Sequence, residues 1–272
     1  MRTAMRKGNG FTLIELLVVI AVMVLLMAIL LPSLQRVKRQ AKAVACQSNL
    51  HQWALRFASD SVDSDNTWWK RGEQISPEWG WYSVVPGMDN YLGDCNDMLL
   101  CPMAAKIDNR LSNIGWYFGS KFSAWGCTEK LPWRVAGSYG INYWLWIEPG
   151  PPSKDIPEFR IFWNSIFVKS ASVVPGYFDC TWPNGMLFGS TSLPPEYDDT
   201  LDSATSATQV CINRHNGYVN YLFMDLSVRR VGLKELWTLK WHKEFDTAGP
   251  WTKSGGVQPE DWPQWMRHFK DY

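Results

Sequence analysis

A chain of 272 residues with a formal net charge of +1 has no global electrostatic case for nucleic acid, because a near-neutral protein lacks the basic footprint that phosphate binding needs. Beyond a first apolar run, the length is enough for one globular domain with its own core and hardly for two. Seventeen Trp and six Cys are the marked features of the composition. Indoles bury much area but need a partner for the N–H, and an even cysteine set suits disulfides in an oxidising compartment.

The chain starts with a short basic leader, Arg2, Arg6 and Lys7, ahead of Gly10. Residues 11–31 form an apolar run whose one ionisable residue is Glu15, close to the ~20 residues a helix needs to cross a bilayer. A carboxylate inside a membrane helix costs roughly 2.5–3.5 kcal/mol on insertion scales, so a lone one asks for a functional reason. A secretory signal peptide would have a shorter apolar region of about 7–15 residues and a small-residue cleavage site. Here the run is longer and ends in Leu31-Pro32-Ser33 without such a site. A plain signal anchor fits the length and the basic flank but leaves Gly10 and Glu15 unexplained.

Position by position, Gly10-Phe11-Thr12-Leu13-Ile14-Glu15 resembles the G-F-T-L-I-E prepilin signal shared by type IV pilins and type II secretion pseudopilins. The resemblance implies cleavage after Gly10 by a prepilin peptidase and methylation of the new N-terminus at Phe11. It also implies that Glu15 pairs with the N-terminal amine of a neighbouring subunit in a filament. The physics agrees, because a buried carboxylate and a buried ammonium compensate each other in hydrocarbon. A Glu that snorkels to the headgroups is the plainer alternative.

One long helix is expected over residues 12–57, with a membrane half (residues 11–31) and an amphipathic half (residues 32–58). Leu34, Val37, Ala41, Val44 and Leu55 recur near helical spacing, with Arg36, Lys38, Arg39 and Lys42 on the other faces. Pro32 removes one backbone hydrogen bond and should bend or loosen the helix. Residues 41–52, with Cys46, Asn49, Leu50 and Gln52, resemble the helix end of a bacterial pilin-like group; His51 there reads as a polar helix residue. Residues 59–66 are acidic and Ser-rich and predict a loop. Asp60, Asp63 and Asp65 offer the oxygen ligands calcium takes, and the resemblance to major pseudopilins implies a calcium ion, although the spacing matches no EF-hand. No other cofactor is expected. The close pair Cys95 and Cys101 is the disulfide expected first, and the lack of any C-x-x-C pair argues against zinc.

Residues 138–147 are aromatic and β-branched and predict a strand that stops at Glu148-Pro149-Gly150. A second strand is expected over residues 173–179, with Pro175 marking an edge or a bulge, and a long exposed loop over residues 187–208. His215 and Asp225 have nine residues between them, which resembles the C-terminal H-X9-DG processing-associated domain of envelope pilin-like proteins, with Leu226 in place of its Gly. Residues 214–231 read as a β-hairpin with its turn at Asp225-Leu226. A two-residue turn would strain Leu226, because its central positions need φ > 0, so a longer turn is expected. No nucleophile or acid/base partner stands near His215 at a recognisable spacing, so a structural hydrogen bond is its expected role, and Asp225 is expected to cap its own turn. Residues 232–245 read as an amphipathic helix and residues 263–269 as a short helical turn.

The expected fold is therefore α+β: a long N-terminal helix packed on an antiparallel β-sheet domain (residues 59–272) with long loops, pilin-like by resemblance. The implied function is a structural subunit, not an enzyme, processed after Gly10 and assembled with its own or other pilin-like copies. The implied place is the bacterial inner membrane, with the N-terminus cytoplasmic and the C-terminal domain periplasmic, reaching the cell surface if assembled. A second reading is a membrane-anchored protein that binds polysaccharide through Trp68, Trp69, Trp79, Trp81, Trp144 and Trp146.

Overall fold

The computed structural model describes residues 12–63, 96–107, 116–127, 136–145, 161–163, 167–198 and 206–272. The chain forms two compact units, Met1–Ala41 and Lys42–Tyr272. Helix α1 (Leu13–Asp63) runs through the boundary between them and carries Pro32 inside it. Within the first unit the helix from Leu13 (86% exposed) to Leu31 is exposed and, apart from Glu15, apolar on every face. A helix hydrophobic nearly all round suits lipid surroundings.

The second unit is built on a five-stranded sheet. Nine strands occur among the described residues: β1 (Lys106–Ile107), β2 (Trp116–Tyr117), β3 (Ser123–Cys127), β4 (Ala136–Gly137), β5 (Tyr139–Asn142), β6 (Pro175–Asp179), β7 (Asn184–Gly185), β8 (Tyr218–Phe223) and β9 (Val228–Gly232). A small sheet gathers β1, β2 and β4 around β3, and the larger one has the order β7-β5-β6-β8-β9. All pairs in the larger sheet are antiparallel except β5 with β7.

Both faces of the larger sheet are covered, so β6 is buried at every position. On one face Tyr177 packs against Trp53 and Phe57 of α1, with ring centroids 5.3 and 5.6 Å apart. On the other face Phe178 stacks on Tyr221 at 4.5 Å and meets the edge of Trp241 at 5.4 Å. Alternation along a strand sends neighbouring side chains to opposite faces, and here each face has an aromatic partner layer waiting. The second layer comes from the C-terminal segment, where the 3-10 turn Leu233–Thr238 buries Leu233, Leu236 and Trp237. Beyond it, Trp241, Trp262 and Met266 are also buried.

The indoles bind this core together through their N–H groups as well as their area. Trp53, Trp125, Trp144, Trp163, Trp237, Trp241 and Trp265 each donate to a backbone carbonyl, at 2.8–3.2 Å.

Several elements differ from their expectation. The buried stripe of α1 is Cys46, Leu50, Trp53, Ala54 and Phe57, spaced i, i+4, i+7, i+8, i+11. Leu34, Val37, Val44 and Leu55, expected on that stripe, are exposed. Larger side chains set a second helical stripe after Cys46, and a helix can turn only one face to the sheet. The helix also continues through Ser59 to Asp63, where a loop was expected. The strand expected over residues 138–147 ends at Asn142 and gives way to a 3-10 turn at Tyr143–Leu145. The Asn142 side chain draws the chain out of the ladder: its Oδ1 accepts from Trp144 N–H and its Nδ2 donates to the carbonyls of Pro175 and Trp241. Pro175 sits at a register shift between Pro175 and Tyr177, hence at a bulge, but in a central strand and not at an edge. In the segment expected to be a long exposed loop, Leu187, Ala207 and Thr208 are buried, and Ala207–Val210 forms one helical turn.

Candidate functional site

At the start of α1, Thr12 and Glu15 close a capping box, the reciprocal pairing that a Thr-x-x-Glu spacing allows at a helix N-terminus. Glu15 N–H donates to Thr12 Oγ1 at 3.2 Å, while Thr12 N–H and Thr12 Oγ1 each donate to Glu15 Oε2 at 2.9 Å. The carboxylate also sits at the positive end of the helix dipole. Gly10 and Phe11 lie outside the described residues.

A second constellation lies in the core of the larger unit. It gathers Cys46 from α1, Cys101 from the turn after the Asn96–Leu99 segment, Asp179 from the end of β6, and His215 from just before β8; one donor atom from each lies within 4.8 Å of the others. His215 Nε2 stands 3.0 Å from Asp179 Oδ2 and 3.5 Å from Cys101 Sγ. Cys46 Sγ is 3.6 and 3.7 Å from the two Asp179 oxygens and accepts from the Tyr139 hydroxyl at 3.3 Å. Asp179 Oδ2 further accepts from Asn220 N–H at 2.8 Å.

Arg214 holds this cluster from behind. Its guanidinium spends all its N–H groups on oxygens: Nε on Lys121 O, Nη1 on Ser138 O and Asp179 Oδ1, and Nη2 on Ser120 O and Cys180 O. Both Arg214 and Asp179 are completely buried as an ion pair at 3.0 Å. A buried charge survives only when paired and fully hydrogen-bonded, and this one meets both conditions.

A tight turn positions His215. Asn216 and Gly217 both have φ > 0, at 55° and 88°, and His215 N–H donates to Tyr218 O at 3.1 Å. That is the conformation an Asn-Gly pair favours. A Cβ on Gly217 would lie 2.8 Å from the Phe269 ring, so the position is closed to larger residues twice over.

The electrostatics follow from this packing. Burial works against the Asp179 carboxylate, yet His215, Arg214 and the Asn220 N–H hold it down at about 2. Burial likewise opposes the charged His215 ring, but Asp179 and Cys101 raise it to about 9. Burial pushes the Cys46 thiol well above its ordinary value, and its hydrogen bond to Cys101 adds to this. For Cys101, burial is outweighed by that same hydrogen bond, by His215 and by Arg214, which bring it down to about 6.

This is not a Cys–His–Asp catalytic relay. In such a relay the two ring nitrogens bridge the orienting carboxylate and the nucleophile, whereas here one nitrogen, Nε2, faces both Asp179 and Cys101. Nδ1 is buried and without a hydrogen-bond partner among the described residues. All four side chains are also closed off from solvent.

Sequence reasoning singled out His215 and Cys101 but not the company they keep. Cys95, the expected partner of Cys101, lies outside the described residues, and Cys101 stands as a free thiol in the cluster. In the sequence Asp179 is only the last residue of an expected strand. Asn216-Gly217 was the available signal for a tight turn presenting His215. Asp225 lies apart from the cluster, in the hairpin turn, where its Oδ1 accepts from Ser227 N–H at 3.0 Å and Ser227 Oγ at 2.6 Å. Of the Trp residues considered for glycan stacking, Trp144 is 1% exposed, with its N–H given to Leu187 O, so it presents no face to a sugar; Trp68, Trp69, Trp79, Trp81 and Trp146 lie outside the described residues. Asp60 and Asp63, considered for calcium, stand on α1; Asp65 lies outside the described residues.

Residues 5–31 match the family model of the prokaryotic N-terminal methylation motif. No curated protein matches the chain, and no solved structure matches it. The match and the uncovered apolar part of α1, long enough to cross a membrane, together define a protein with a prepilin-type N-terminus on a candidate membrane helix. They fit a pilin-like, membrane-anchored structural subunit.

Proposed function

We propose that the chain is a pilin-like subunit cut by a prepilin peptidase after Gly10, methylated at Phe11, and held in the bacterial inner membrane by the apolar part of α1. Its N-terminus starts in the cytoplasm and the Lys42–Tyr272 unit lies in the periplasm. Subunits then assemble, with copies of themselves or with other pilin-like chains, into a type IV pilus-like or type II secretion pseudopilus filament. The observation that carries this reading is the methylation-motif match over residues 5–31, which brackets Gly10, Phe11 and Glu15. In the subunit alone Thr12 satisfies Glu15; in the filament the methylated amine of a neighbour takes over that carboxylate, and opposite charges in hydrocarbon favour the exchange.

Residues 214–231 belong to the same reading as an H-X9-DG-type element. It is supported by His215 and Asp225 at opposite ends of β8 and by Leu226 at φ 67°, the conformation a glycine takes freely. Mass spectrometry of the mature N-terminus tests the proposal. N-methyl-Phe11 is the expected first residue, and a mature protein that retains Met1 would refute it.

A further inference from the structure

We propose that Cys46, Cys101, Asp179 and His215 form a closed, four-ligand site for a thiolate-preferring divalent cation, zinc above all. The site lies wholly in the Lys42–Tyr272 unit and does not depend on the reading of the N-terminus.

The donor set is the first argument. Two thiolates, one imidazole and one carboxylate are ligands zinc takes in tetrahedral sites. The geometry is the second. Metal–sulfur bonds near 2.3 Å and metal–nitrogen or –oxygen bonds near 2.0–2.2 Å put tetrahedral ligand–ligand edges at roughly 3.3–3.8 Å. The observed separations are 3.5 Å for Cys101 Sγ to His215 Nε2, and 3.6 and 3.7 Å for Cys46 Sγ to the Asp179 oxygens. The His215–Asp179 edge, 3.0 Å, opens by a few tenths. No donor pair exceeds 4.8 Å, so every edge reaches the tetrahedral range with a shift of about an ångström or less.

Charge is the third argument. With the ion bound, two thiolates and Asp179 would carry three negative charges against the one positive charge of Arg214. A divalent cation that replaces two protons keeps the buried cluster neutral, the balance a low-dielectric interior demands. The protons that now bridge the donors, on Cys46 Sγ and His215 Nε2, leave to solvent as the ion enters. Arg214 and Asn220 N–H already fix the Asp179 carboxylate, and the Tyr139 hydroxyl already donates to Cys46. Such outer hydrogen bonds orient metal ligands. With four protein ligands and no open position the site is structural: it fastens α1 to β6 and to the segments that carry Cys101 and His215.

The test uses the full-length chain purified in detergent under reducing conditions, with zinc, and then cobalt(II), as probes. The wild type is expected to retain one zinc per chain through gel filtration and to show a thiolate-to-cobalt charge-transfer band after exchange. Removing zinc with a chelator should lower its melting temperature and expose two further thiols to a thiol reagent. Cys46→Ala/Cys101→Ala should lose the metal and the band, while Cys211→Ala, a buried thiol outside the cluster, keeps both. The wild-type measurements stand even if the double variant fails to fold. A reduced wild-type chain that holds no zinc would overturn the proposal. So would a protein isolated from cells two hydrogens lighter with a Cys46–Cys101 cross-linked peptide, because that disulfide consumes two of the ligands.

Discussion

Leu226 occupies the left-handed region at φ 67°, in a hairpin turn that holds Met224, Asp225 and Leu226 between Phe223 and Ser227. Leu226 N–H donates to Phe223 O, and Phe223 N–H to Ser227 O, both at 2.9 Å. Three-residue hairpin loops put their last residue in this conformation. A non-glycine residue there costs about 1–2 kcal/mol, partly offset because Leu226 packs against the core. Leu226→Val, β-branched at the same φ, should lose a further ~1–2 kcal/mol in denaturant unfolding. Leu226→Gly trades strain for lost packing and should stay within ~1 kcal/mol of wild type. His242 sets a pH dependence. Burial lowers its pKa from 6.5, Lys240 adds to the shift, and its Nε2–H donates to Phe188 O at 3.2 Å. A lowered folded-state pKa means that the unfolded chain takes up the proton more readily. Its contribution is therefore present above pH 6.5 and is lost as the pH falls from there toward the folded-state value. His242→Gln should flatten that part of a stability–pH curve; an unchanged slope would show that His242 does not set it.

At the scale of elements, the contact of α1 with the larger sheet rests on one stripe. Trp53 touches Phe57 and Tyr177 and donates its N–H to Met98 O at 2.8 Å. Trp53→Ala opens a cavity and leaves that carbonyl unpaired, which should cost about 3–5 kcal/mol. Leu55→Ala, two positions on but 74% exposed, should stay within ~0.5 kcal/mol. Comparable losses for the two variants would place the buried stripe elsewhere. The polar residues of the same helix segment act as tethers between elements: Gln47 donates to Asn220 Oδ1 and Asn49 to Leu100 O, both at 3.0 Å.

For the whole molecule, the proposed assembly gives Glu15 a task that membrane insertion does not need. Glu15→Val removes a carboxylate from an apolar helix and should leave insertion intact or easier, while filament assembly is lost. Fractionation and electron microscopy of cells carrying the variant read the two outcomes separately, and normal filaments would exclude an assembly role for Glu15.

The N-terminal signature, the apolar helix and an irregularity at Pro175 were legible in the sequence; the turn is longer than two residues, as expected, yet Leu226 keeps the positive φ that a longer turn was expected to spare it. Each depends on neighbours in the chain: a motif, a run of apolar residues, a ring without an N–H, a side chain at a φ it resists. The buried face of α1 was not legible, because two apolar stripes compete along the helix and only the sheet's aromatic layer selects one. The 3-10 turn after β5 was hidden for a similar reason, since Asn142 bonds to carbonyls of Pro175 and Trp241 far along the chain. The cluster was the least legible of all. Cys46, Cys101, Asp179 and His215 stand dozens of residues apart, and no local spacing links them. Strand order and the docking of α1 bring them within 4.8 Å, while Arg214 makes a buried carboxylate tolerable at their centre. The methylation motif and the apolar run that could enter a membrane can be read directly from the residues, because they depend on local hydrophobicity and a contiguous motif. Tertiary contacts alone set the surroundings of Cys46, Cys101 and His215, because these come from distances between segments that lie far apart along the chain.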